Sequence, residues 1–231
     1  MKILIFHGSE ITITKPSLEF SKRNNDYGVG FYCSDELELA KEWACRYGND
    51  GFANAYNLNT EGLAVLDISS DEENTLQWIA ILLQNRLFKM DNMYIENAKR
   101  YVIEKFAPDI SSYDVIKGYR ADDSYFQYAE AFIENRIPLR ILSKALKLGL
   151  LGMQTVLATE RSLEHLTYVG AEEVLESEYY PRFLHRDNKA RKDYRKLLNN
   201  FDLKKSDVFL YDIIREEMKE DDPRIQRSLL K

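Results

Sequence analysis

The sequence is poor in cysteine and has no long apolar run. Its 231 residues include two cysteines, Cys33 and Cys45, without the paired spacing of metal sites or disulfide scaffolds. We therefore expect two buried thiols in a reducing compartment and no metal site. No stretch reaches the roughly 20 apolar residues that a membrane-spanning helix needs. The opening MKILIFHGS also lacks the apolar segment of a secretory signal, so we expect a cytoplasmic protein without a membrane partner.

The chain also lacks an excess of positive charge and three common catalytic motifs. Its formal net charge of -6 excludes a protein that binds nucleic acid over its whole surface, so any basic surface must be local. There is no GxxxxGK[ST] phosphate loop, no HExxH motif and no GxSxG motif. ATP hydrolysis, zinc proteolysis and serine hydrolase chemistry therefore have no support in the sequence.

Short strand-like and helix-like segments are present and follow one another irregularly. The run KILIF at 2–6 predicts a buried strand that turns at His7-Gly8. Further strands are predicted in segments 30–34, 53–59, 62–69, 114–123, 153–159 and 167–171. Helices are predicted in segments 36–48, 73–106, 124–138, 139–151 and 160–166. This order favours a mixed α+β domain over a doubly wound sheet. We place that domain at residues 1–175 and a helical, charged extension at residues 176–231.

Three ring-bearing residues stand in order near the N-terminus. The segment FHGS contains His7, and GVGFYCSDELELAKEWAC at 28–45 contains Tyr32 and Trp43. Taken singly, each residue is typical of a turn or a core position. Together they resemble motifs of the ADP-ribosyltransferases of the diphtheria-toxin and poly(ADP-ribose) polymerase branch.

The whole of residues 1–170 is most similar to a bacterial family of unknown function, DUF3990, that is assigned to this superfamily. The matching motifs are His7-Gly8-Ser9, the segment 26–32, Trp43-Ala44, Ala121-Asp122-Asp123 and Gln154-Thr155-Val156. The resemblance implies an ADP-ribosyltransferase-like split mixed β-sheet core with helical insertions and a C-terminal helical appendage. It also implies a mono-ADP-ribosyltransferase that cleaves NAD and transfers ADP-ribose to a protein or nucleic acid. Such an enzyme would fit a toxin of a toxin–antitoxin or anti-phage system, with an antitoxin protein as a possible partner.

The resemblance assigns roles around NAD to the residues of these motifs. His7 would hydrogen-bond a ribose hydroxyl, Tyr32 and Trp43 would lie against the two faces of the nicotinamide, and the Gly8 backbone would bind the carboxamide. Lys22 or Arg23 would meet the pyrophosphate, or would be an ordinary solvated charge. The expected NAD-binding residues are His7, Gly8, Ser9, Arg23, Gly30, Phe31, Tyr32 and Trp43.

The third catalytic position departs from the pattern of the relatives that build polymers. They carry a glutamate where this chain has Gln154, and an amide accepts a hydrogen bond without bringing negative charge. Transfer of a single unit is therefore favoured over chain elongation. Asp122, or else Asp123, is the expected source of a carboxylate, although the same turn suits a helix N-cap. The expected catalytic residues are His7, Tyr32, Gln154 and Asp122.

Two alternative functions and the role of the basic run near the C-terminus remain open. The chain would otherwise be a catalytically inactive module that binds NAD or ADP-ribose, or an NAD hydrolase. The C-terminal extension carries a basic run that would grip a target or a neutralising partner, or would form a solvated helix face. Its residues are Arg182, Arg186, Lys189, Arg191, Lys192, Arg195 and Lys196.

Overall fold

The structure is a computed structural model that describes residues 1–45, 48–68, 74–88, 92–121, 123–146, 148 and 152–229. Over these residues the chain is mixed α+β, as the irregular order of segments predicted. It divides into two compact units, each built from three stretches of sequence. The first comprises Met1–Asp67, Asp109–Arg120 and Leu151–Asn188, and the second Ile68–Pro108, Ala121–Leu150 and Lys189–Lys231. These limits differ from the predicted boundary between residues 175 and 176.

The first unit contains two small sheets. One sheet has the antiparallel order β1-β3-β7, formed by Lys2–Ser9, Gly51–Asn59 and Leu166–Val174. The other has the order β2-β6-β5-β4, formed by Phe31–Cys33, Met153–Leu157, Val115–Tyr119 and Val65–Asp67, in which only the β4–β5 pair is parallel. The predicted strands are thus confirmed, except that β1 continues through His7 and Gly8 to Ser9 instead of turning there.

Alternation along these strands fills the core of the first unit. Ile5 on β1, Phe31 on β2 and Tyr56 on β3 belong to one buried cluster that Cys33, Leu58, Val115 and Leu157 complete. Successive residues of a strand point to opposite faces, so His7 follows Ile5 on this face of β1 while Gly8 lies on the other. On that other face lies α1, Leu37–Ala44, which ends before the predicted stop at Gly48. Cys33 and Cys45 are both free and buried, as expected.

The second unit is helical over its described residues. It contains α2 (Thr75–Asn85), α3 (Met93–Phe106), α4 (Asp123–Ile133), α5 (Leu139–Leu146), α8 (Leu210–Arg215) and α9 (Pro223–Leu229). Helix α2 is buried along most of its length, as its nearly continuous apolar sequence predicted. The predicted helical stretch 73–106 contains two helices, α2 and α3. Among the described residues, no helix is long and apolar enough to span a membrane.

Two further helices are α6, Glu160–Glu164, and α7, Glu176–Asn200, and the basic run lies on α7. Arg182 pairs with Glu38 of α1 at 2.9 Å, and Arg186 pairs with Glu42 of α1 at 2.5 Å. The Arg186–Glu42 pair is largely buried, since the two side chains are 14% and 11% exposed. Arg186 is therefore held against α1, whereas Arg182, whose side chain is 49% exposed, forms a surface ion pair with the same helix.

Candidate functional site

The candidate site lies where β1 meets β2 in the first unit. Phe6 and Ser34 exchange two backbone hydrogen bonds, of 2.7 and 2.8 Å, in an isolated antiparallel bridge. Two residues further along each strand, this register brings Gly8 opposite Tyr32. The backbone N–H and C=O groups of residues two apart point to the same edge of a strand. Those of Phe6 point toward β2, where they bond Ser34. The N–H and C=O of Gly8 therefore also point toward β2, at Tyr32, and away from β3.

Gly8 is also required by the packing of β1 against α1. A Cβ atom at Gly8 would lie 2.0 Å from the carbonyl oxygen of Ala40 and 2.6 Å from the nitrogen of Ala44. No side chain fits at that distance, so glycine permits the close approach of strand and helix. The backbone of Trp43, within 3.0 Å of the same point, is thereby held beside Gly8.

His7 is fixed in one orientation and one tautomer. Its Nδ1 lies 2.7 Å from the carbonyl oxygen of Tyr32, and its ring stacks on Phe31 with centroids 4.3 Å apart. Since a carbonyl only accepts, Nδ1 carries the hydrogen and Nε2 of the neutral ring is an acceptor. Burial lowers the pKa of His7 below its usual value of 6.5, which outweighs the opposite effect of the hydrogen bond to Tyr32. The imidazole is therefore neutral at pH 7.

A cavity of about 660 Å³ opens beside these residues. Its described lining consists of His7, Ile11, Thr12, Ile13, Thr14, Lys15, Ser17, Phe20, Ser21, Lys22, Asn25, Gly30, Phe31 and Tyr32. The predicted binding residues His7, Gly30, Phe31 and Tyr32 thus all line this cavity. Phe20, which also lines the cavity, is 87% exposed. Two lysines, Lys15 and Lys22, provide the positive charge of the lining.

Tyr32 is held by its hydroxyl. The hydroxyl donates to the carbonyl oxygen of Gly28 at 2.7 Å and accepts from the backbone N–H of Tyr27 at 3.1 Å. Gly28 has a φ of 77°, in the left-handed region that favours glycine, so the backbone conformation explains why the G-x-G motif has a glycine at this position. The tyrosine ring is thereby fixed at the cavity wall.

Trp43 contacts a cation on one face of its ring. The Arg120 guanidinium carbon lies 4.2 Å from the centroid of the indole ring, a cation–π contact. The indole Nε1 is buried without a hydrogen-bond partner among the described residues. Trp43 does not occur in the described lining of the cavity. Its predicted place against the nicotinamide stays a prediction.

The remaining predicted residues do not occur in the described lining of the cavity; those described are Gly8, Ser9, Arg23 and Gln154. Ser9 accepts a hydrogen bond from Asn54 and donates to the carbonyl of Ile11, so it supports the loop that lines the cavity. Arg23 is exposed and does not occur in the described lining. Asp122 lies outside the described residues.

Gln154 is buried on β6, 3% exposed. Its Nε2 donates to the carboxylate of Asp26 at 3.0 Å and to the carbonyl oxygen of Tyr119 at 3.3 Å. A buried carboxylate thus contacts Gln154, but it comes from Asp26 in the glycine-rich motif. Among the described residues, no group of three or more His, Cys, Asp or Glu side chains is arranged to hold a metal ion.

Sequence reasoning missed two residues that support the site. The motif at 26–32 contains Asp26 but gives it no role, and none of the matching motifs contains Asn54. Asn54 is fully buried on β3 and bonds Ser9, the Ile11 carbonyl and the Ile13 N–H, which ties down the loop 9–13. An amide at a core-facing position of the strand GFANAYNLN was the available signal, because a buried amide needs partners.

Comparison with known proteins adds one family. The family described as "Protein of unknown function (DUF3990)" matches residues 3–168, nearly three quarters of the chain. A search of curated proteins and a search of solved structures found no significant match.

Proposed function

The chain belongs to the DUF3990 family, and we propose that it is a mono-ADP-ribosyltransferase that uses NAD as its substrate. The observation that carries the proposal is the neutral His7, fixed by Tyr32 with Nε2 left to accept a hydrogen bond at the wall of a large cavity. A ribose hydroxyl is the kind of donor that this nitrogen suits. Tyr32 and Phe31 add aromatic surface to the same cavity.

The proposed reaction exchanges the group on the anomeric carbon of the nicotinamide ribose. The bond from that carbon to the pyridinium nitrogen breaks, and nicotinamide leaves with the electron pair. An acceptor atom of a protein or nucleic acid forms the new bond and loses a proton. His7 would orient the sugar, and the ring of Tyr32 would face the leaving nicotinamide. Gly8, whose N–H and C=O point toward β2, would bind the carboxamide.

Transfer of one unit is the form of the reaction that Gln154 supports. An amide at this position accepts from a sugar hydroxyl but brings no charge of its own to the cationic sugar. The exposed Phe20, together with Lys15 and Lys22 in the lining, supports a macromolecular acceptor more than water. We also propose, on the resemblance alone, that the protein is a cytoplasmic toxin whose partner is an antitoxin.

The test measures nicotinamide release and labelling from NAD carrying a labelled adenosine. Purified protein is incubated with NAD, with and without cell lysate, and label is followed separately into protein and nucleic acid. We expect release with labelling of one fraction, and a loss of about 100-fold in rate for His7→Ala because the sugar is no longer held. We likewise expect Tyr32→Ala to lower the rate sharply.

The matched control is His165→Ala. His165 also places Nδ1 near a backbone carbonyl, that of Asn59, at 2.8 Å, but it does not occur in the described lining. Its replacement should leave the rate unchanged. Binding of NAD without release would favour the inactive module, and release without labelling would favour an NAD hydrolase. An unchanged rate in His7→Ala would remove this residue from the site.

A further inference from the structure

We propose that Asp26 is a positioning residue, which holds the Gln154 amide in the one orientation that offers Oε1 as an acceptor to the ribose of NAD. The inference rests on the proposed function and adds a residue to it. It also identifies Asp26, instead of Asp122, as a carboxylate beside Gln154, the uncharged residue at the third catalytic position.

The orientation of the amide follows from its two partners. Nε2 of Gln154 donates to Oδ2 of Asp26 at 3.0 Å and to the carbonyl oxygen of Tyr119 at 3.3 Å. Both partners are acceptors, so an inverted amide would set Oε1 against two oxygens and lose both hydrogen bonds. Gln154 and Asp26 are 3% and 7% exposed, so water does not readily replace these bonds. The oxygen of the amide is therefore the atom left to accept from another group.

Gln154 shares a sheet face with Tyr32. In the β2–β6 pair, Tyr32 is opposite Val156. Gln154 stands two residues from Val156 on the same strand and points to the same face. Diagonal neighbours of this kind lie about 7–8 Å apart, within reach of one bound sugar.

One short segment supports both side chains. Asp26 bonds the Gln154 amide, while Tyr27 N–H and Gly28 carbonyl bond the Tyr32 hydroxyl. The phenol of Tyr27 donates at 2.9 Å to the Tyr119 carbonyl, which is the second acceptor of the Gln154 amide. The Asp-Tyr-Gly of the motif thus fixes Tyr32 and Gln154 relative to each other.

The same contact brings negative charge next to the third position. An amide that donates to a carboxylate is polarised, which makes its own oxygen a stronger acceptor. The cationic sugar of the proposed transition state is stabilised by such a fixed dipole and by the nearby charge. The pair Asp26–Gln154 would therefore do together what a single glutamate does in the relatives that build polymers.

The test compares Asp26→Asn, Gln154→Glu and the double variant with wild type. Nicotinamide release gives kcat and KM for each. Asp26→Asn keeps the shape but removes the charge and lets the amide invert, so we expect kcat to fall about tenfold with KM changed less than threefold. Gln154→Glu sets two carboxylates together, and we expect the double variant, with one carboxylate again, to be more active than this single variant.

Asp114→Asn is the matched control. Asp114 is also a buried carboxylate of the first unit, and it accepts from Ala64 N–H and the Thr159 hydroxyl. Its replacement should lower thermal stability and leave kcat at 25 °C unchanged. An Asp26→Asn enzyme with the kcat of wild type, or a double variant less active than Gln154→Glu, would overturn the positioning role.

A second measurement does not depend on NAD. The side-chain amide of Gln154, assigned in ¹⁵N spectra by its loss in Gln154→Glu, should show slow hydrogen exchange in wild type and fast exchange in Asp26→Asn. Equal exchange in both would overturn the fixed orientation. If wild type releases no nicotinamide, the proposed function fails, while the exchange result still decides whether Asp26 orients the amide.

Discussion

Replacing Tyr32 by phenylalanine removes one oxygen and leaves the ring in place. The hydroxyl bonds two backbone groups, the Gly28 carbonyl at 2.7 Å and the Tyr27 N–H at 3.1 Å. Tyr27 and Gly28 are both buried, so water does not simply replace the lost partner. The substitution therefore separates the support of the site from its aromatic face.

The expected magnitude follows from these two contacts. A hydrogen bond of this kind contributes about 1 kcal/mol net, so we expect the free energy of unfolding of the first unit to fall by about 2 kcal/mol. No cavity larger than one oxygen atom is formed. The phenyl ring still faces the cavity, so we expect NAD affinity and the rate of nicotinamide release to change less than about threefold, whereas Tyr32→Ala loses both.

Urea unfolding followed by tryptophan fluorescence measures the first quantity. The chain has two tryptophans, Trp43 in the first unit and Trp78 in the second, so a Trp78→Phe background makes the signal report the first unit. Tyr180→Phe is the control, because Tyr180 stacks on Phe183 and its hydroxyl makes no hydrogen bond among the described residues.

Two outcomes would refute this reasoning. If Tyr32→Phe unfolds at the same urea concentration as its parent, the hydroxyl does not support the Asp26–Gly28 segment. If Tyr32→Phe shows the expected loss of stability but releases nicotinamide as slowly as Tyr32→Ala, the hydroxyl has a chemical role that the ring alone does not explain.

Two further predictions concern the same unit. Gly8→Ala places a methyl group 2.0 Å from the Ala40 carbonyl oxygen and should lower the free energy of unfolding by about 3 kcal/mol in chemical denaturation. Gly170→Ala is the control, because no atom lies within 4 Å of its new Cβ, and it should change that free energy little. Equal losses in the two variants would contradict the strand–helix packing. Because burial lowers the pKa of His7 in the folded state, the unfolded chain binds more protons just below pH 6.5, so stability should fall as the pH drops through 6.5 and level off below the lowered pKa. His7→Gln should flatten that part of the stability profile relative to wild type, and an unchanged slope would place the proton elsewhere.

Local patterns predicted much of the fold because they depend on neighbours in the sequence. The apolar run KILIF and the β-branched segment MQTVL became β1 and β6, and the nearly continuous apolar run near Trp78 became the buried helix α2. The end of β1 was misjudged, because His7 and Gly8 look like a turn until the neighbouring strand β3 pairs with them at Asn54 and Ala53. Strand partners 47 and 45 residues away leave no local signal.

The candidate site was predicted in the same partial way. The motif brought His7 and Tyr32 to attention, and the structure places both at one cavity. The resemblance pointed to the turn at Asp122 for a carboxylate beside Gln154, and Asp122 lies outside the described residues. Asp26 is 128 residues away from Gln154 and could not be chosen on local grounds.

The sequence by itself determined the mixed α+β class, the glycines of the N-terminal motif and the family of the chain, since these depend on residue types and their order. Only the tertiary structure decided which polar groups meet. It turned Asp26 toward Gln154, fixed the tautomer of His7 through the Tyr32 carbonyl, and paired Arg186 of the basic helix with Glu42 of α1. The physical reason is that buried donors, acceptors and charges must find partners, and those partners are selected by packing across the whole unit.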